Sequence, residues 1–295
     1  MNKLKAFVPV VSVLNMKGGV GKSTLCANIS LAIFETHAIH TLLLDLDPQF
    51  NLTQSIFKRD AYDKMKASAK TIFSIMEPAS EVGLFDVAVS NIPPPAASTI
   101  ANTLFYLEEN KSIELDIVPG DFQLVKYSLM DDNAKLKAVK DRFLKFVAQE
   151  RSNYRSIFID CNPSSSFLTL CALHAATHVL VPVRPDRFSM LGLEILSEFI
   201  ENLPTLMPKP HLVVVLNGIR RGGRDKVATA VEAELRAHPK FGPRTLVNFV
   251  PESGVLRART DYTGFATDRK VRGRQQVQAE ISAVASELSK KLGLT

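Results

Sequence analysis

No apolar run in this sequence approaches the roughly 20 residues that a membrane-spanning helix requires. The first ten residues, MNKLKAFVPV, flow into a strand-like segment without a small-residue cleavage site, so no signal peptide is expected. Cysteine is scarce: Cys26, Cys161 and Cys171 form an odd set without metal-type spacing. That argues against a metal or cluster framework and leaves buried thiols in a reducing cytoplasm as the simplest reading. Internal repeats are absent as well. What the chain has is an ordinary globular composition, 46% hydrophobic and 22% charged, enough for a substantial core. Its 295 residues fit one large α/β domain or two small ones.

The net charge of +6 permits binding to nucleic acid or to an anionic membrane surface. The excess is concentrated. Between His211 and Gln275 thirteen Lys or Arg face six Asp or Glu, so the remainder of the chain is close to neutral.

Short apolar runs alternate with helix-like stretches. The runs are Val8–Leu14, Thr41–Leu46, Leu115–Val118, Ser156–Ile159, His178–Val183, His211–Leu216 and Thr245–Val250. Each is bounded by turn or polar residues, as buried parallel strands tend to be. Helical spacing marks Lys22–Glu35, Lys135–Glu150, Met190–Leu203, Lys226–Ala237 and a closing helix over Arg274–Leu292. This alternation predicts an α/β fold with a mostly parallel, doubly wound sheet and helices on both faces. The least regular region, Ser55–Asn110, reads as short helices plus a loop and not as a second domain, so residues 1–295 are expected to form one domain.

The strongest local signal runs from Val10 to Thr24. A buried strand enters the glycine-rich stretch Lys17-Gly18-Gly19-Val20-Gly21-Lys22-Ser23-Thr24, which opens a helix. Glycines let successive backbone N–H groups turn inward around phosphate oxygens. The helix points its positive end at the same anion. In a phosphate loop of this kind Lys22 reaches the β- and γ-phosphates of ATP, and Ser23 is placed to ligate Mg²⁺.

Where the usual pattern has its first glycine stands Met16, followed by Lys17. This form resembles the deviant Walker A motif of the ParA and MinD superfamily, and the chain as a whole, from Val8 to Leu292, most resembles the ParA family of partitioning ATPases. The resemblance implies ATP binding and hydrolysis, and an ATP-sandwich homodimer in which Lys17 reaches the partner's nucleotide. Charge supplied in trans in this way follows the logic of an arginine finger. Leu42-Leu43-Leu44-Asp45-Leu46-Asp47-Pro48-Gln49 resembles the family's second signature; residues two apart on a strand share a face. By resemblance Asp45 supports the hydrated Mg²⁺ and Asp47 positions the attacking water. Tyr154–Asp160 resembles Walker B, placing Asp160 near Mg²⁺. The family continues with Thr/Cys-Pro-Pro-Ser, whereas this chain has Cys161-Asn162-Pro163-Ser164. Asn217, ending a strand, and Pro251 correspond to adenine contacts.

The family reading implies non-specific DNA binding by the ATP-bound dimer, release triggered by a ParB-like partner, and a cytoplasmic, nucleoid-associated protein. The short ParA form is expected, without an N-terminal helix-turn-helix. Candidate DNA contacts are Arg220, Arg221, Arg224 and Lys226 in one cluster and Arg257, Arg259, Arg269, Lys270, Arg272 and Arg274 in another. The helix after Leu191-Gly192-Leu193 runs against the analogy, because Glu194, Glu198 and Glu201 make it acidic. A MinD-like membrane-associated ATPase is the alternative; it needs an amphipathic tail. Ile281, Val284, Leu288 and Leu292 form an apolar stripe there, but the tail lacks aromatics, and core packing accounts for the stripe better. A small-molecule enzyme on the same fold is a further alternative. A reductase would need cluster cysteines, and an amide-forming synthetase a substrate pocket that the sequence does not identify.

Overall fold

The computed structural model describes residues 7–78, 86–107, 110–162, 166–186, 188–222, 226–257 and 262–294. Among these, the strands are β1 (Val10–Val13), β2 (Thr41–Asp45), β3 (Asn102–Leu107), β4 (Asn110–Val118), β5 (Ser156–Asp160), β6 (His178–Val183), β7 (His211–Ile219) and β8 (Val250–Pro251). They form one sheet in the order β3-β4-β2-β5-β1-β6-β7-β8. β3 runs antiparallel to β4, and every other neighbouring pair is parallel. β1, β2, β5 and β6 are buried at every position, which is why they read as unbroken apolar runs.

The helices are α1 (Lys22–His37), α2 (Asn51–Ile56), α3 (Arg59–Ala67), α4 (Phe73–Met76), α5 (Ala97–Ile100), α6 (Asn133–Glu150), α7 (Phe167–Ala175), α8 (Ser189–Asn202), α9 (Lys226–Ala237) and α10 (Arg274–Leu292). Strand residues alternate between two apolar layers. Leu42 and Leu44 join Phe143, Phe146, Leu168 and Leu196 on the face covered by α6, α7 and α8. Leu43 joins Ile29, Ile33, Ile281, Val284 and Leu288 on the face covered by α1 and α10. α1 packs against both the sheet and α10, so it is apolar nearly all round. The stripe Ile281, Val284, Leu288 and Leu292 is fully buried there, each side chain contributing roughly 1.5–3 kcal/mol by leaving water. It is core, as its lack of aromatic anchors indicated. No helix among the described residues is long and apolar enough to cross a membrane.

The sequence reading is corrected at two places. The region read as short helices plus a loop also contains β3, an edge strand whose side chains are half-exposed and whose pairing is interrupted by two irregularities. Its apolar alternation is correspondingly weak. The strand expected over Thr245–Val250 is reduced to β8 and a single bridge between Thr245 and Val214. Side chains replace strand partners in between. Arg236 donates to the Leu246 and Val247 carbonyls, and Glu287 accepts from the Val247 and Asn248 N–H groups at 2.7 and 2.9 Å.

Candidate nucleotide site

The phosphate loop leaves the middle of the sheet after β1, and Asn15 holds its start. Asn15 donates from Nδ2 to the Pro182 carbonyl at 2.7 Å, and its Oδ1 accepts from the Lys17 N–H at 2.8 Å. Gly21 adopts φ 86°, and a Cβ there would come 2.6 Å from Asn217 Nδ2, so this position needs glycine twice over. α1 starts directly after it with no side-chain cap, whereas α6 and α7 are capped by Asp132 and Ser166. The open N–H groups of α1 therefore remain available to an anion. They face a cavity of about 540 Å³ lined by Gly18, Gly19, Gly21, Lys22, Ser23, Thr24, Asp47 and Gln49.

Three carboxylates stand at the same edge. Asp45 and Asp160 are in-register partners on β2 and β5, and Asp160 also pairs with Val13 at the end of β1. Burial raises the pKa of both; Asp47 raises each further, and Asp45 also raises Asp160. Asp45 is engaged by Thr53, whose N–H and hydroxyl donate to Oδ2 at 2.9 and 2.6 Å. Neither oxygen of Asp160 makes a hydrogen bond of ordinary geometry, although both are buried; the Ser23 hydroxyl and then Lys22 counter the upward push on its pKa. Asp47 is pushed up by burial and held down by the Gln49 N–H at 2.9 Å and by Lys22. Burial lowers Lys22, opposed by Asp160 and Asp47.

An orphaned buried carboxylate beside a serine hydroxyl fits Mg²⁺, which takes one or two carboxylates and completes its shell with phosphate oxygens and water. No group of three or more His, Cys, Asp or Glu among the described residues forms a protein-only metal cage. Asp160 and Ser23 would hold the ion, with Asp45 behind them.

On the other side of the loop Asn217 donates from Nδ2 to the Val20 carbonyl at 2.6 Å. Asn217, Pro251, Val250 and Leu256 line a second cavity of about 410 Å³, of a size and polarity suited to a base. Lys17 sits on the rim, ion-paired to Asp186 of its own chain. Of the expected DNA-contacting residues, Arg220, Arg221, Lys226, Arg257, Lys270 and Arg272 are exposed, and Arg274 is half-buried. Arg224 and Arg259 lie outside the described residues, as do Pro163 and Ser164. Arg269 is corrected: it is buried, donates to the Val255 and Arg257 carbonyls, stacks over Tyr262 and lines the phosphate cavity. It is not a surface cation.

Several residues at the site escaped the sequence reading. Asn15, Arg184, Asp186 and Glu252 are polar groups within three residues of a strand end at the loaded edge of the sheet, which is the signal that could have marked them. Gly120, just past β4, packs so tightly that a Cβ would lie 2.5 Å from Phe50 Cβ and 2.9 Å from Asp45 Cγ.

Fold and site together define a P-loop nucleotide-binding protein of the deviant-lysine kind. A sequence model of the AAA domain matches residues 8–212. The chromosome partitioning protein ParA of Caulobacter vibrioides is 26% identical over 246 residues, covering 83% of this chain and 80% of its own. Among solved structures, cobyrinic acid a,c-diamide synthase from Mycobacterium smegmatis with ADP and magnesium superposes at TM-score 0.67, with 21% identity and 97% of each chain covered. The pNOB8 ParA bound to nonspecific DNA superposes at 0.61, with 19% identity over 97% of this chain and 98% of that one. The chain belongs to the ParA family of partitioning ATPases.

Proposed function

We propose that residues 1–295 act as one ATPase unit that dimerises around ATP, binds DNA without sequence preference and hydrolyses ATP under the control of a ParB-like partner, so as to segregate DNA or another cargo. The observation that carries the reading is the burial of Lys22, Asp47 and Asp160 around the uncapped start of α1, with Lys17 outside on the rim.

In this mechanism the loop N–H groups and Lys22 hold the β- and γ-phosphates. Asp47 orients a water for in-line attack on the γ-phosphorus; its burial favours accepting a hydrogen bond from that water over remaining solvated. The bond to the bridging oxygen breaks, and ADP and phosphate leave. Mg²⁺, when bound, neutralises charge developing on the phosphate oxygens. Lys17 exchanges Asp186 for the partner's nucleotide, which adds a cation where the transferring group is most anionic. Asn217 and Pro251 hold the base. The names of the related proteins support the DNA and nucleotide parts of this reading, and a nucleoid-associated location follows from it. The apolar stripe of α10 is buried in the core, so this helix does not supply the amphipathic face that a membrane-associated role would need.

Asp47→Ala should bind ATP, turn over at least about a hundredfold more slowly and accumulate as a dimer in light scattering. Wild-type hydrolysis by that variant would overturn the water-positioning role of Asp47, and a monomer at high concentration with ATP and Mg²⁺ would falsify the sandwich mechanism.

A further inference from the structure

Glu252 follows β8 at the mouth of the base cavity, with its N–H donating to the Ile219 carbonyl at 2.8 Å. Three arginines converge on its carboxylate. Arg220 donates from Nε at 2.7 Å, Arg257 from Nη2 at 3.3 Å, and Arg184 Nη2 stands 3.9 Å away. Arg184 and Arg220 directly follow β6 and β7, so the sheet brings these two to Glu252, whereas Arg257 lies five residues further along the same loop. Arg184 is seated by Gly218: at φ 76° the glycine leaves a gap that a Cβ would close to 2.9 Å from Arg184 Nε.

The charge balance is unusual for a structural pair. One carboxylate with 23% side-chain exposure faces three guanidinium groups that are 46%, 67% and 72% exposed. Arg220 first, then the other cations, hold the Glu252 carboxyl below the usual range. Exposed ion pairs of this kind add little to stability. The forks are instead well suited to phosphate oxygens, which they can bind two at a time. Glu252 and Arg184 line the base cavity and also a neighbouring cavity of about 300 Å³ that reaches Lys17, Gly19 and Val20, so the cluster adjoins the nucleotide pocket.

We propose that Arg184, Arg220 and Arg257 form part of the surface that meets a nucleic-acid phosphate backbone, and that Glu252 withholds it by occupying the forks in the absence of DNA. This rests on the DNA-binding reading above. It adds Arg184 to the interface and names a carboxylate that competes with DNA phosphates for the same donors. Each fork released allows one more phosphate to be neutralised, and affinity and its salt dependence rise together with that number.

The test is a salt titration of binding to a random-sequence duplex, read by fluorescence anisotropy. Nucleotide-free Glu252→Gln should bind roughly three- to tenfold more tightly than wild type, and its log–log salt slope should steepen by about one. Glu234→Gln, which removes an exposed negative charge from α9, should change neither. Adding Arg220→Ala and Arg257→Ala to Glu252→Gln should erase the gain. Equal behaviour of Glu252→Gln and Glu234→Gln, in a protein whose wild type binds DNA with ATP, overturns this inference and leaves the DNA reading standing. No binding by wild type with ATP, even at low salt, overturns the DNA reading and this inference with it.

Discussion

At the scale of single residues, the pairing of Lys17 with Asp186 is the feature that the motif did not foretell. The expected role of Lys17 is to reach a second subunit, yet here it is held by a carboxylate on its own rim. Both side chains are about 40% exposed, so the pair adds little to folding stability, but it must be broken before Lys17 can act elsewhere. Asp186→Asn should therefore leave the melting temperature nearly unchanged and lower the ATP concentration at which half the protein is dimeric. Light scattering across an ATP titration measures this, and an unchanged midpoint would show that Asp186 does not compete for Lys17. The phosphate loop itself was legible in the sequence, because glycines, lysine and serine at fixed offsets have one dominant use. Asp186 was not, because an aspartate after a strand is ordinary in a turn and its partner lies 169 residues away in the chain.

At the scale of elements, the central strands were readable because full burial leaves a continuous apolar run. β3 and the stretch before β8 were not, because an edge strand is half polar and because Arg236 and Glu287 satisfy backbone groups that a strand would otherwise pair. The β6–β7 pair carries a testable consequence at its start. His178 is buried opposite His211, with ring centroids 5.4 Å apart, and its Nδ1 lies 2.9 Å from Thr177 Oγ1. Burial and then the facing His211 push its pKa down to about 4, against an ordinary value of 6.5. The folded chain thus refuses a proton that the unfolded chain accepts. Its stabilising contribution is complete above the ordinary value and is lost as pH falls from there toward 4. His178→Gln should flatten the decline of the urea midpoint between pH 6.5 and 4.5 relative to wild type. Parallel declines in the two proteins would assign the acid sensitivity to other groups.

At the scale of the whole molecule, the nucleotide edge and the basic residues Arg220 and Arg221 lie at the same end of β7. Arg220 follows that strand directly, and Asn217 within it touches the phosphate loop. Dimerisation around ATP would double the phosphate contacts without altering any residue that makes them. The log–log salt slope of DNA binding with ATP should then be about twice that with ADP, because the slope counts phosphates neutralised. Equal slopes would mean that ATP changes the surface of a monomer instead of joining two. The composition showed that the positive charge was concentrated, but not that much of it was already countered. Arg220 and Arg257 meet Glu252, and Arg221 meets Glu280. Which acid faces which base is decided by tertiary contact, and a linear count of charges cannot reveal it.

Asn15, finally, bears on the thermodynamics of nucleotide capture. By tying the loop to the end of β6, it fixes the backbone in its receiving shape before any ligand arrives. Ordering a residue's backbone costs on the order of 1–2 kcal/mol, and for this loop that entropy is surrendered during folding, not during binding. The free energy released when phosphate meets the loop can then appear as affinity instead of being consumed in arranging the receptor.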